Sequence, residues 1–204
     1  MFIDITPWIA VGLILITSTA ILGNLDWRIS LGALAVQYVA AFWLVTRHLP
    51  FVMGSAKLIT GWMVVAALGI TCLGLSTAEE YKKGESALPR GRLFQLVLIF
   101  IVAMGTAGAT PRIESAIPGL GYPVIAGSLL LIGLGAVHLG LTSDTLNVIL
   151  GLLTILTGFE VLYAAIESSI LVTGLLAATN LGMGITGSYL LIAGTMPAEM
   201  EDEL

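Results

Sequence analysis

Asp144 to Gly194 is about fifty residues of apolar sequence with Glu160, Glu167 and Asn180 in its interior. One helix needs roughly 20 apolar residues to cross a bilayer, so the stretch reads as two membrane spans back to back. Glu160 falls well inside the first span and Asn180 near the middle of the second. A carboxylate in hydrocarbon costs about 2.5–3.5 kcal/mol on insertion scales, so such a group needs a proton, a partner or a water path. What Glu160 is for becomes the question of function.

The rest of the 204-residue chain has the same character. Its mean hydropathy is +1.02. Charged residues make up 10% of it, against about 25% in soluble domains. The expected fold class is all-α: a polytopic membrane helix bundle of about seven spans in the cell membrane. The net charge of −5 and the absence of a basic tail argue against nucleic acid as a partner. The single Cys72 cannot form an internal disulfide, and two distant histidines give no metal-ligand spacing. Met1-Phe2-Ile3-Asp4 offers no basic n-region or cleavage site, so the first span is expected to be retained.

Length and breakers divide the chain into spans at roughly 5–22, 29–45, 51–75, 93–110, 124–141 and the opening pair. Three short units follow from this: residues 1–76 as three helices, 77–123 as a charged loop plus a linking helix, and 124–194 as three more helices. An acidic tail, 195–204, lies beyond. Pro111, Arg112 and Glu114 are expected in the loop after the fourth span, and Ser143 or Asp144 as the cap of the sixth. Arg28, Lys82, Lys83, Arg90 and Arg92 lie on the C-terminal side, against Arg47, Lys57 and Arg112 on the other. The positive-inside rule then puts the C-terminus in the cytoplasm and the N-terminus outside. The first three spans can be laid on the last three: Gln37 and Lys57 are 20 residues apart, as are Glu160 and Asn180. That alignment suggests a parallel internal repeat.

Five side chains are candidates for a proton or ion pathway: Glu160, Lys57, Asn180, Gln37 and Glu167. Glu160 is the strongest, as a carboxyl that exchanges a proton inside the bundle; the plainer reading is a static carboxyl bonded to a neighbouring helix. Lys57 sits about 10 Å below the surface if the third span begins at Phe51, at 1.5 Å per residue. There it can pair with a buried acid; if the span begins later, it snorkels to the interface. Asn180 and Gln37 serve as interhelical hydrogen-bonding groups or hold water, the first being the commoner role. Glu167 is expected at the turn between the last spans, in reach of water. His138, near a helix end, is expected at the surface. Gly182-Met183-Gly184-Ile185-Thr186-Gly187 fits a dinucleotide fingerprint, but within a span it reads as a close-packing face. Gly184 with Ser188, and Ala103 with Ala107, have the same small-residue spacing. No nucleophile–base pair, phosphate loop or haem-ligand pair appears, so no catalytic or metal residues and no cofactor are assigned.

Gly158-Phe159-Glu160-Val161-Leu162-Tyr163-Ala164-Ala165 resembles the G-x-E-x-x-x-x-A stretch of the small K-type membrane subunit of respiratory complex I. Ala177 to Gly184 is similar to that subunit's following helix, with Asn180 where the family often carries a second glutamate. The C subunit of Mrp-type cation/proton antiporters is similar to the same three helices. With seven spans and the K-like part last, the whole chain most resembles component E of hydrogenase-4 and formate hydrogenlyase-type complexes. The resemblance implies a non-catalytic subunit of a redox-driven, proton- or sodium-pumping membrane arm, partnered by antiporter-like subunits. Glu160, with Lys57, would be a stop on a chain of buried charges. A stand-alone proton-coupled transporter and a structural scaffold subunit are the competing readings, while an intramembrane enzyme is disfavoured by the missing catalytic set.

Overall fold

The computed structural model describes residues 5–23, 26–78, 91–167 and 169–195. Seven helices and no strand are found among them. They are α1 (Ile5–Gly23), α2 (Trp27–Val45), α3 (Phe51–Ala78), α4 (Arg92–Ala116), α5 (Tyr122–Leu141), α6 (Thr145–Ile166) and α7 (Ile170–Ala193). All seven are long and apolar enough to cross a membrane. With seven such helices among its described residues, the chain is a multi-pass membrane protein. The charged loop 79–90, Asn24 and the acidic tail from 196 onward lie outside the described residues.

The helices form two rows. Neighbours in the first row are α1–α2–α3, and in the second α5–α6–α7. The rows face each other, with α1 on α5, α2 on α6 and α3 on α7. α4 stands outside, against α5 and the edge of α1. Its large side chains, such as Leu93, Phe100 and Met104, are exposed. In hydrocarbon such a surface is solvated by lipid tails, and each helix satisfies its own backbone.

Lipid removes most of the hydrophobic drive between helices, so close packing holds them together. The α5–α6 seam shows how. A Cβ added at Gly158 would stand 2.8 Å from the Ser128 carbonyl, and one at Gly135 would stand 3.0 Å from the Gly151 carbonyl. The two backbones touch where either partner lacks a side chain. In α7, Gly184 lies on Val64 of α3 and Gly187 on Ile149 of α6. The glycine cluster 182–187 is helical and two of its glycines make close contacts, as a packing face should.

One of the two cap candidates is the cap of α6, and one boundary differs from the sequence reading. Asp144, not Ser143, is the N-cap of α6, its carboxylate accepting from the Asn147 main-chain N–H at 3.4 Å. α4 runs six residues past the expected end, through Pro111. Proline removes one main-chain donor, a defect that membrane helices tolerate when nearby groups compensate. The helix then ends in a turn organised by Glu114. Its two carboxylate oxygens accept from the N–H groups of Gly119 and Gly121 at 3.1 and 2.9 Å. Both glycines have positive φ, +98° and +85°, which a side chain would oppose. Glu114 is thus the staple of the α4–α5 turn rather than a free loop charge.

Candidate functional site

Four helices enclose the polar centre of the molecule. α2 packs on α3, α3 on α7, α7 on α6 and α6 back on α2. Diagonally opposed helices, α2 with α7 and α3 with α6, scarcely approach as backbones. Polar side chains bridge both diagonals instead. The Tyr38 hydroxyl of α2 donates to Asn180 Oδ1 of α7 at 3.0 Å. The Lys57 amine of α3 reaches Glu160 of α6, 3.9 Å from Oε2, and donates to the Glu160 main-chain carbonyl at 3.3 Å.

The local sequence explains how a lysine enters such a place. α3 begins at Phe51, so Lys57 is nearly two turns inside. It is 6% exposed, and Glu160 is 4% exposed. α3 opens at Phe51, as the paired reading of Lys57 requires, and the Lys57 amine is buried beside Glu160. Gly61, one turn further along α3, lies against the Tyr38 ring, which fills the space a side chain there would take. Phe42 and Phe51 meet edge to face, 5.6 Å between ring centres, at the mouth of the α2–α3 turn.

Thr157, one turn before Glu160, adds a hydroxyl beside that of Tyr38. Its own proton goes to the Leu153 carbonyl at 2.7 Å, so its oxygen keeps capacity to accept. A cavity of about 10 Å³ lies between Tyr38, Lys57, Thr157 and Glu160, with Phe42 and Val45 on its apolar side. That is close to the volume needed to hold one water molecule. Glu160 Oε1 has no hydrogen-bond partner among the described residues. Among the described residues the carboxylate is therefore held on one side only, through a loose ion pair, and Glu160 lines a space suited to water.

Four of the five sequence candidates are fully buried: Glu160, Lys57, Asn180 and Gln37. Glu160, Lys57 and Asn180 meet at the ring centre. Gln37 is 0% exposed and neither end of its amide finds a partner among the described residues. It neighbours Tyr38 in sequence but points to a different side of α2. Glu167 does not join them; it is exposed at the C-cap of α6, in the turn where the sequence reading put it.

Sequence reasoning passed over Tyr38, Thr157 and Thr154, and misplaced His138. Tyr38 carried a signal, since a tyrosine next to a glutamine in mid-span brings two polar groups to one depth. His138 is buried at 6% exposure, not at the surface. The α5–α6 turn folds the start of α6 back over it, and Gly151 gives its ring room, with His138 Cδ2 3.3 Å from where a Cβ would be.

No family model matches this chain, and no curated protein or solved structure matches it either.

Proposed function

We propose that the chain is a non-catalytic membrane subunit of an ion-translocating complex of the complex I or hydrogenase type, and that Glu160 and Lys57 form a stop on its proton or sodium path. The observation that carries this reading is the buried pair itself: an acid and an amine, on helices whose backbones scarcely approach, meeting beside a water-sized space. A purely structural pair gains most from short, fully hydrogen-bonded geometry, because two desolvated charges are costly to hold. This pair is long and leaves one carboxylate oxygen without a partner among the described residues. Such a site changes charge without first breaking a tight contact. Groups coupled in this way titrate as a set rather than singly.

The resemblance of Gly158–Ala165 to the K-type subunit motif supports the same reading and supplies the partners, antiporter-like membrane subunits in the cell membrane; the distribution of Lys and Arg between loops is the ground for a cytoplasmic C-terminus. The apolar outer faces of α3, α4 and α7 suit contact with lipid or with such subunits. The test is Glu160→Gln in the intact complex. The variant should still assemble in the complex, although the isolated chain is less stable, and pump fewer ions per turnover; pumping at the wild-type level would remove Glu160 from the path.

A further inference from the structure

At the end of the bundle where α1 and α5 begin and α2 stops, the helices leave a cleft of about 400 Å³. Small-molecule sites span roughly 300–1,000 Å³. Leu120, Pro123 and Val124 give the cleft an apolar wall, while Arg47 and His48 give it a basic one. No acid lines it among the described residues. Glu114, on the neighbouring turn, is engaged by the N–H groups of Gly119 and Gly121.

Two turns are tied together to shape this cleft. The Leu120 carbonyl can only accept, so His48 Nε2 carries the hydrogen of their 2.9 Å bond. The α2–α3 turn is itself wound, with Arg47 N–H on the Leu44 carbonyl at 3.2 Å and His48 N–H on the Val45 carbonyl at 3.1 Å. Arg47 is thus carried to the cleft by a turn of fixed shape, and its side chain is exposed. A guanidinium offers planar, forked donors that match a phosphate. Trp8 and Tyr122 line the same cleft and are 44% and 49% exposed. Trp8 is the fourth residue of α1 and Tyr122 the first of α5. Such rings settle at the level of lipid headgroups, which sets Arg47 at the depth of lipid phosphates.

An apolar strip leads from the cleft along α1. Ile5, Trp8, Ile9, Gly12 and Ile16 recur at three- and four-residue spacing and so share one face. The isoleucines are 68%, 49% and 67% exposed, and a Cβ at Gly12 would meet nothing within 4 Å. From Trp8 to Ile16 is about 12 Å of helix at 1.5 Å per residue. A free phosphate gains nothing from that strip, whereas a phospholipid must lay an acyl chain on apolar surface beneath its headgroup.

We propose that the cleft holds the headgroup of an anionic phospholipid, with Arg47 on the phosphate, Trp8 and Tyr122 beside it, and an acyl chain on the Ile5–Ile16 face of α1. The bound lipid fastens the starts of α1 and α5 to the α2–α3 turn. This site is independent of any role for Glu160.

The full chain, delipidated in a neutral detergent, would be titrated with phosphatidylglycerol, phosphatidylcholine or inorganic phosphate. A ligand held by the folded state raises the melting temperature, and native mass spectrometry counts the lipids bound. Phosphatidylglycerol should bind at least about fivefold more tightly than phosphatidylcholine, the scale of one basic residue at a membrane surface. R47Q should lose that preference, and R47K should keep part of it, since charge remains without the fork. W8A should weaken phosphatidylglycerol several-fold with Arg47 in place. Inorganic phosphate should neither raise the melting temperature nor displace the lipid. Equal binding of the two lipids would overturn the proposal, as would an undiminished preference in R47Q or, where that variant does not fold, an undiminished affinity in W8A. Displacement of phosphatidylglycerol by inorganic phosphate would also overturn it, making the cleft a site for the free anion.

Discussion

Lys57 gives its hydrogen bond to the main chain of Glu160 and not to its carboxylate: 3.3 Å to the carbonyl oxygen against 3.9 Å to Oε2. The amine is thereby fixed to α6 whatever the charge on the acid. Only the longer contact senses the carboxylate, which makes the amine a stable anchor beside a group free to gain or lose a proton.

Removing one member of a buried pair strands the other, a loss of about 3–5 kcal/mol where both are charged. Glu160→Gln should therefore lower the stability of the isolated chain towards that range, and Glu160→Gln with Lys57→Met should regain most of it. Unfolding equilibria in lipid bicelles measure both. Equal losses in the single and double variants would mean that the two side chains are not coupled.

The other diagonal is a neutral hydrogen bond. Tyr38→Phe keeps the ring on Gly61 and removes only the donor to Asn180 Oδ1. Interhelical bonds in membranes average about 0.6 kcal/mol, so the loss should be near 1 kcal/mol or below. A loss of several kcal/mol in the same unfolding experiment would show that Tyr38 organises more of the ring than this bond.

Gln37 predicts the opposite sign. Its amide is wholly buried and finds no partner among the described residues, a state that costs about 1–3 kcal/mol. Gln37→Leu, similar in volume, should leave stability unchanged or raise it. Destabilisation by Gln37→Leu would show that the amide is in fact satisfied in the membrane.

Close backbone approach gives a steric test. Gly158→Val should drive a branched side chain into the Ser128 carbonyl and Leu131 of α5, losing at least about 1–3 kcal/mol, while Gly174→Ala should be nearly silent because its Cβ position meets nothing within 4 Å. Expression and detergent melting of the two variants separate them. Similar behaviour would mean that the α5–α6 seam is not closely packed.

The hydropathy pattern carries the seven spans plainly, because lipid demands a long apolar helix each time and little else satisfies the backbone. It also singles out Glu160, whose cost is visible from its neighbours alone. What it cannot carry is pairing. Lys57 and Glu160 are 103 residues apart, and whether Lys57 is buried hung on which residue opens α3. His138 sits three residues from the end of α5, where depth in sequence suggests exposure; the fold-back of α6 and the missing side chain at Gly151 decide otherwise. Pro111 and Glu114 look like loop residues because proline and charge break apolar runs. α4 nevertheless continues to Ala116, and Glu114 accepts from the N–H groups of Gly119 and Gly121 in the turn that follows, a specific pairing that composition alone does not encode.

The central claim is that this chain works as one subunit among others. Mass spectrometry of what co-purifies with it in a mild detergent tests that most directly. Large antiporter-like membrane subunits, with or without iron–sulfur or hydrogenase-type partners, are the predicted result and would identify the driving reaction. A clean monomer or homodimer would contradict the claim.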